Sequence, residues 1–296
     1  MVGCGLLAAS CSTSGPYEVV TDDSVDGTTG PVERPDVVVI VLDDWAQSDL
    51  VTARADANPW NDLLAIDSLA AVGQTWTNFY AQPLCNPTRR TMLLGTYQGD
   101  QGGGVCRPPD ARTPDPSSSI AHTLAAAGYR TATFGKWHVG THPDPTADWN
   151  DVPEAYGFEA WRAWNASNLD GHCGSESYTD WQRVDDGVAF QTTEYHTEAI
   201  GLAFLDWWNA TEGPRFAYVS FQAPHQPFHD PPAHLLPSGH PSPTTSREQF
   251  EAMLVATDAM IVSMLAAVDL QDTYVLLLGD NGTPPAALAA TRTAGA

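Results

Sequence analysis

The chain has 296 residues, 43% hydrophobic and 17% charged, which is globular composition and long enough for one large core. A net charge of −23 argues against nucleic acid as partner, because phosphate backbones are held by clustered Lys and Arg. It suits a secreted or surface protein kept soluble by self-repulsion. Ten Trp and 23 Pro point to a loop-rich α/β protein rather than a helical bundle. We find no internal repeat and no apolar run long enough to span a membrane.

The N-terminus offers two readings. "GLLAASCSTSG" is a short apolar run, then small residues, then Cys11, followed by a polar, acidic segment without periodicity. This resembles the end of a bacterial lipoprotein leader, with Cys11 as lipid acceptor and a flexible tether after it. The other reading is a plain disordered tail. Residues 1–33 are therefore expected to lie outside the folded domain, which would occupy 34–296. The leader reading places the protein in the periplasm, on the cell surface or outside the cell.

From Arg34 the chain alternates strand and helix signals. "DVVVIVL" (36–42) is a continuous β-branched run, as in a strand buried on both faces. "WNDLLAIDSLAAVG" predicts a helix ended by Gly73, and "SSIAHTLAAAGY" a second one ended by Gly128. "RTATFG" reads as a short strand. "EYHTEAIGLAFLDWWNA" is a helix with Ile200, Phe204, Leu205 and Trp208 on one face. "RFAYVSF" (215–221) is a strand, and "SREQFEAMLVATDAMIVSMLAAV" a long helix striped by Leu254, Ile261, Leu265 and Val268. "TYVLLLG" (273–279) is another buried strand. The pattern predicts an α/β fold: a mostly parallel central sheet with helices on both faces. Residues 140–193 show little periodicity and read as long ordered loops. Their tryptophans hint at stacking on sugar or aryl rings.

Chemistry-bearing residues recur after the strands. Asp43-Asp44 follow the first, Gly-Lys136-Trp-His138 the second, Gln-Ala-Pro-His225 the third and Asp280-Asn281 the fourth. Singly, each is a common turn or a satisfied loop histidine. Together they mark the carboxyl edge of a parallel sheet, where ligands bind. Lys136 is the single lysine of the chain, so lysine is not serving as a surface residue here. Asp43, Asp44, Asp280 and Asn281 offer hard oxygen ligands suited to Ca²⁺ or Mg²⁺ rather than zinc. Arg89, Lys136, His138 and His225 add cations and acid/base groups. A divalent cation ringed by positive side chains describes a pocket for a tetrahedral oxyanion ester, a sulfate or a phosphate.

"CNPTRRTMLLG" (85–95), "GYRTATFGKWH" (128–138), "VVVIVLDD", "VSFQAPHQP" and "LLLGDNG" resemble, in order, the motifs of the sulfatase family, within the alkaline-phosphatase-like superfamily. The resemblance runs from about Arg34 to Gly282 and implies that family's fold. It implies that a formylglycine-generating enzyme oxidises Cys85 to formylglycine, recognising Cys85-x-Pro87-x-Arg89. One hydroxyl of the hydrated aldehyde would attack sulfur, and the other, deprotonated by a base such as His138, would expel sulfate. Arg89 would hold the formylglycine, Lys136 would contact it and the sulfate, and His225 would bind sulfate and protonate the leaving oxygen. Asp43, Asp44, Asp280 and Asn281, with residue 85, would hold Ca²⁺, Mg²⁺ being the alternative. Arg90 has no role in this scheme and reads as a helix-surface residue. Cys106 and Cys173 are either a disulfide or two free thiols. The family continues past "DNG" with a second active-site lysine and a smaller C-terminal domain, so the expectation is a catalytic domain with its C-terminal part missing. A phosphonate monoester or phosphodiester hydrolase of the same superfamily is the alternative enzyme. An inactive sulfatase-like surface protein is the alternative outside catalysis.

Overall fold

The computed structural model describes residues 6–9, 34–49, 63–97, 115–139, 149–169 and 177–288. Cys4, Cys11, Cys106 and Cys173 lie outside them, and with them the lipid-acceptor and disulfide readings; Cys85 is a buried free thiol.

The elements run β1 (Leu6–Ala9), β2 (Asp36–Leu42), α1 (Leu64–Val72), β3 (Gln74–Trp76), α2 (Cys85–Leu94), α3 (Ile120–Ala126), β4 (Arg130–Lys136), α4 (Val152–Ala155), β5 (Ala160–Asn165), β6 (Trp181–Asp185), β7 (Val188–Thr192), α5 (His196–Ala210), β8 (Arg215–Phe221), α6 (Ser246–Ala267), β9 (Thr273–Gly279) and α7 (Pro285–Leu288). They build one nine-stranded sheet in the order β3-β1-β9-β2-β8-β4-β5-β6-β7. The five strands from β9 to β5 are parallel to their neighbours, and β3, β1, β6 and β7 extend the edges antiparallel. Leu6–Ala9, inside the stretch read as a leader, pairs with β9 and β3.

The two-residue period of each central strand divides its side chains between two cores. Val38, Ile40 and Leu42 join Phe134, Ile200, Phe204, Val219, Leu254, Ile261 and Leu277 beneath α1, α5 and α6. Val41, Phe216, Tyr218 and Leu278 join Leu93, Leu94, Trp137, Tyr156 and Phe158 on the face of α2 and α3. Both faces of the parallel sheet are thus covered, which is why its strands read as unbroken apolar runs. The helix ends follow local chemistry. Thr245 and Glu248 form a reciprocal capping box at the start of α6. Ser119 caps α3 through His122 N at 3.1 Å. By length and composition α6 could cross a membrane, contrary to the sequence reading, but two thirds of its apolar window is buried inside the fold.

Residues 140–193 are not the long loops expected. Their described part contains α4, β5, β6 and β7. The strands are short, and β5 carries successive buried residues, so no clean alternation marks it. Asp186-Gly187, both at positive φ, form the β6–β7 turn, so Asp-Gly was a legible hairpin signal. Trp161, Trp164 and Trp181 are buried, so they pack the core and offer no stacking face to a ligand.

Gly135 positions the site. Its φ is +79°, the β4–β5 register shifts between Phe134 and Lys136, and an added Cβ would lie 2.2 Å from Ser220 O. Such a bulge re-aims the next side chain. Gly135→Ala is expected to destabilise the fold by about 2–4 kcal/mol, combining left-handed backbone strain with overpacking, as measured by urea unfolding.

Candidate active site

Four strand ends and one helix start meet at a single point. Asp43 and Asp44 follow β2, Lys136 ends β4, His225 follows β8, and Asp280 and Asn281 follow β9. Because β9, β2, β8 and β4 are consecutive parallel neighbours, their carboxyl ends lie side by side. Cys85 opens α2, and Arg89 comes one turn later on the same helix face, which gives the Cys-x-x-x-Arg spacing its geometric meaning. Leu84, the capping position, makes no side-chain cap. The entry to α2 is held instead by Thr88 Oγ1, which accepts from Gln82 N at 2.9 Å. Gln82 Nε2 donates to Pro87 O at 3.1 Å and to Thr91 Oγ1 at 2.6 Å.

All nine predicted residues come together here. Cys85 Sγ lies 3.1 Å from His138 Nδ1 and 3.7 Å from Lys136 Nζ. Arg89 is wholly buried. Its Nε donates to Asp280 Oδ2 at 2.7 Å, its Nη1 to Lys136 O at 2.8 Å and to Ser220 Oγ, and its Nη2 lies 3.7 Å from Asp43 Oδ2. Lys136 Nζ donates to Asp43 Oδ2. Asp44 N donates to Asp280 Oδ1 at 3.3 Å, Asn281 Nδ2 donates to Asp44 Oδ1, and His225 Nε2 lies 3.6 Å from Asp44 Oδ2.

Burial and proximity set the charges. Burial would raise the Asp43 carboxyl, but Lys136, His225 and Arg89 outweigh it and hold Asp43 below the ordinary carboxylate range. Asp44 and Asp280 are each pushed up to about 7, by burial first and then by the charge of Asp43. Burial works against the Lys136 ammonium, yet the Asp43 carboxylate raises its pKa. Burial and the Lys136 charge hold His138 well below the ordinary imidazole value, so it is a neutral proton acceptor at pH 7. Burial lifts the Cys85 thiol to about 12. As encoded, this cysteine is a poor thiolate nucleophile.

The residues fit a hard divalent cation. Asp43 Oδ1 and Asn281 Oδ1 are buried with no hydrogen-bond partner, and unpaired buried oxygens are costly unless a cation satisfies them. Ligand atoms of Asp43, Cys85 and Asp280 lie within 4.8 Å of one another, as do those of Asp43, Asp44 and His225. The oxygen donors among them, Asp43, Asp44 and Asp280 with Asn281, suit Ca²⁺ or Mg²⁺, and Cys85 and His225 border that set.

Several residues of the site escaped the sequence reading. Ser220 and Gln222 are fully buried polar residues at the end of an apolar strand, and that break in the run was their signal. Ser220 receives Arg89, and Gln222 O accepts from His225 N at 2.9 Å. Asn86 donates from Nδ2 to His138 O at 2.9 Å, supporting a turn in which His138 has φ +47°. Tyr178 OH donates to His225 O at 2.7 Å from a distant segment with no motif. Arg90 is not a surface residue: it is buried, close enough to Tyr156 for its charge to act on that phenol.

Comparison with known proteins agrees with this architecture. The pattern of the family described as Sulfatase matches residues 35–293. Mouse arylsulfatase J is 25% identical over 294 residues, covering 92% of this chain and 47% of that protein. Pig N-acetylgalactosamine-6-sulfatase is 27% identical over 291 residues, covering 86% of this chain and 52% of that protein. The chain spans about half the length of the curated relatives it matches. Among solved structures, Ps i-CgsB in complex with k-i-k-neocarrahexaose superposes with a TM-score of 0.66 at 19% identity, over 84% of this chain and 59% of that one, a likeness of fold. With its motifs gathered at one sheet edge and a family match spanning nearly the whole chain, the protein belongs to the sulfatase family.

Proposed function

We propose that residues 34–296 are the catalytic portion of a sulfuric ester hydrolase. Cys85, oxidised by a formylglycine-generating enzyme, is its nucleophile, and Asp43, Asp44, Asp280 and Asn281 hold a divalent cation beside it. The observation that carries this reading is the convergence of Arg89, Lys136, His138 and two buried carboxylates, Asp43 and Asp280, around the Cys85 side chain. Oxidised Cys85 supplies, as its hydrate, a nucleophilic hydroxyl and a second hydroxyl whose deprotonation releases sulfate. The cation, when bound, draws charge from the sulfuryl oxygens.

The chain's own groups divide the remaining work. Arg89, buried against Asp280, holds the residue-85 side chain and offsets charge that builds on it. Lys136, 3.7 Å from Sγ, faces both that residue and the sulfate. His138 Nδ1, 3.1 Å from Sγ and neutral, accepts the proton that frees the product. His225, on the Asp44 side, binds the sulfate and protonates the leaving oxygen. The relatives' names support aryl or carbohydrate sulfates as the substrate class. A location outside the cytoplasm fits the acidic composition.

The test is co-expression of the full chain with a formylglycine-generating enzyme. The mass of the tryptic peptide containing residue 85 is expected to report the aldehyde, with an aryl sulfate turned over faster than a phosphonate monoester or a phosphodiester. An unmodified thiol removes the nucleophile, and faster phosphonate turnover transfers the assignment to that class.

A further inference from the structure

Asp49 stands outside every motif, yet it joins the two loops that carry the proposed cation ligands. It is buried, and its two carboxylate oxygens face different partners. Oδ2 accepts from Ala46 N at 3.1 Å, within the loop that carries Asp43 and Asp44, and from Thr283 Oγ1, in the loop that carries Asp280 and Asn281. Oδ1 accepts from Arg247 Nη1 at 2.7 Å, and Arg247 Nε donates to Glu251 Oε1 at 2.7 Å one turn along α6. The two loops already touch through the main chain. Asp280 N donates to Leu42 O at 3.0 Å, and a Cβ on Gly279 would lie 2.0 Å from Trp45 O. Those contacts sit at the strand ends. Beyond them, Asp44 N donates to Asp280 Oδ1 and Asn281 Nδ2 to Asp44 Oδ1, ties made by the proposed ligands themselves. Asp49 adds a tie through a side chain that is not a proposed ligand, and α6 anchors Asp49 in turn.

We propose that Asp49 is a positioning residue for the cation site. It braces the Asp43-Asp44 loop against the Asp280-Asn281 loop, so that four oxygen ligands from two chain segments keep the separation one cation requires. The inference rests on the reading of those four residues as a cation site. Asp49 needs no contact with the cation. Ligand spacing set by partners beyond the ligands commonly governs metal affinity about 10- to 100-fold. An asparagine cannot replace Asp49, because its NH₂ would face either the Arg247 guanidinium or the main chain and hydroxyl that now donate.

The experiment is Ca²⁺ titration calorimetry on the full chain, with melting in excess chelator measured beside it. Thr283→Val cuts the brace at one hydrogen bond and leaves the Arg247 pair intact. It is expected to weaken Ca²⁺ binding roughly 10-fold while chelated melting stays within a few degrees of wild type. Thr283→Ser, which keeps the hydroxyl, is expected to restore affinity. Asp49→Asn is expected to weaken binding at least as much as Thr283→Val, and the Thr283 variants decide alone if it does not fold. Wild-type affinity, within twofold, in both Thr283→Val and any folded Asp49→Asn overturns the brace, provided Asp44→Asn abolishes binding. If wild type binds no Ca²⁺, or Asp44→Asn binds as wild type does, the cation-site reading falls and the brace with it.

Discussion

Cys85→Ala is expected to lower sulfate-ester turnover by roughly 10⁵-fold or more while leaving the fold in place. The loss is large because the side chain that every surrounding group addresses disappears. Lys136, His138 and Arg89 are then left around an empty position. Neither Arg89 nor Lys136 can take over as nucleophile, since both are ion-paired cations. The fold survives because α2 is anchored elsewhere, through Gln82, Thr88 and Thr91 at its entry and through Arg89 to Asp280. Alanine also favours a helix, so the cost is about 1 kcal/mol for the lost buried sulfur. Steady-state kinetics and a thermal melt of the purified variant check both halves. Turnover near wild type in a folded Cys85→Ala protein would sink the assignment.

The second large effect has an unusual sign. Asp44→Asn is expected to stabilise the metal-free protein at pH 8, by on the order of 1–3 kcal/mol, and to remove the stabilisation that Ca²⁺ confers. Asp44 has a folded-state pKa raised from 3.8 to about 7, by burial and then by the charge of Asp43. A raised carboxyl pKa means that the folded state favours the protonated form. Its contribution is fully present below the ordinary value and is lost as pH rises through about 7. Above that, the metal-free fold carries a buried carboxylate beside Asp43, and asparagine relieves it while keeping an oxygen for Asn281 Nδ2. With cation bound, the same carboxylate is an asset, so Ca²⁺ should raise the melting temperature of wild type most above pH 7 and that of the variant hardly at all. Melting at pH 5.5 and 8, in chelator and in Ca²⁺, separates the contributions. A variant less stable than wild type in chelator at pH 8 would contradict the electrostatic account.

The readable and unreadable parts of this protein differ in kind. β2, β8 and β9 were legible because a strand buried on both faces must be apolar at every position. The stripe of α5 was legible because one side of it faces the sheet, and α6 was legible as a long apolar run because it is buried at every position from Phe250 to Asp258. β5, β6 and β7 were missed because they are short and rich in tryptophan, with an exposed strand at the edge. Trp161, Trp164 and Trp181 suggested ligand stacking by composition, whereas burial made them core. Arg90 read as a surface residue because it had no role beside Arg89, yet its own helix face is covered too.

What the sequence alone carried is local: which residue types follow which strands, that Cys85 and Arg89 stand four positions apart, and that the chain has a single lysine, beside a strand end. These are local facts, fixed by strand ends and helix period. Tertiary structure decided what acts on them across long separations. It placed Ser220 under Arg89, Asn86 against the His138 carbonyl, Tyr178 on the His225 carbonyl, and Asp49 between two loops 234 residues apart at its Thr283 bond. Those contacts depend on strand order. The order β9-β2-β8-β4 arises from which apolar faces pack together, and no local pattern in the chain encodes it.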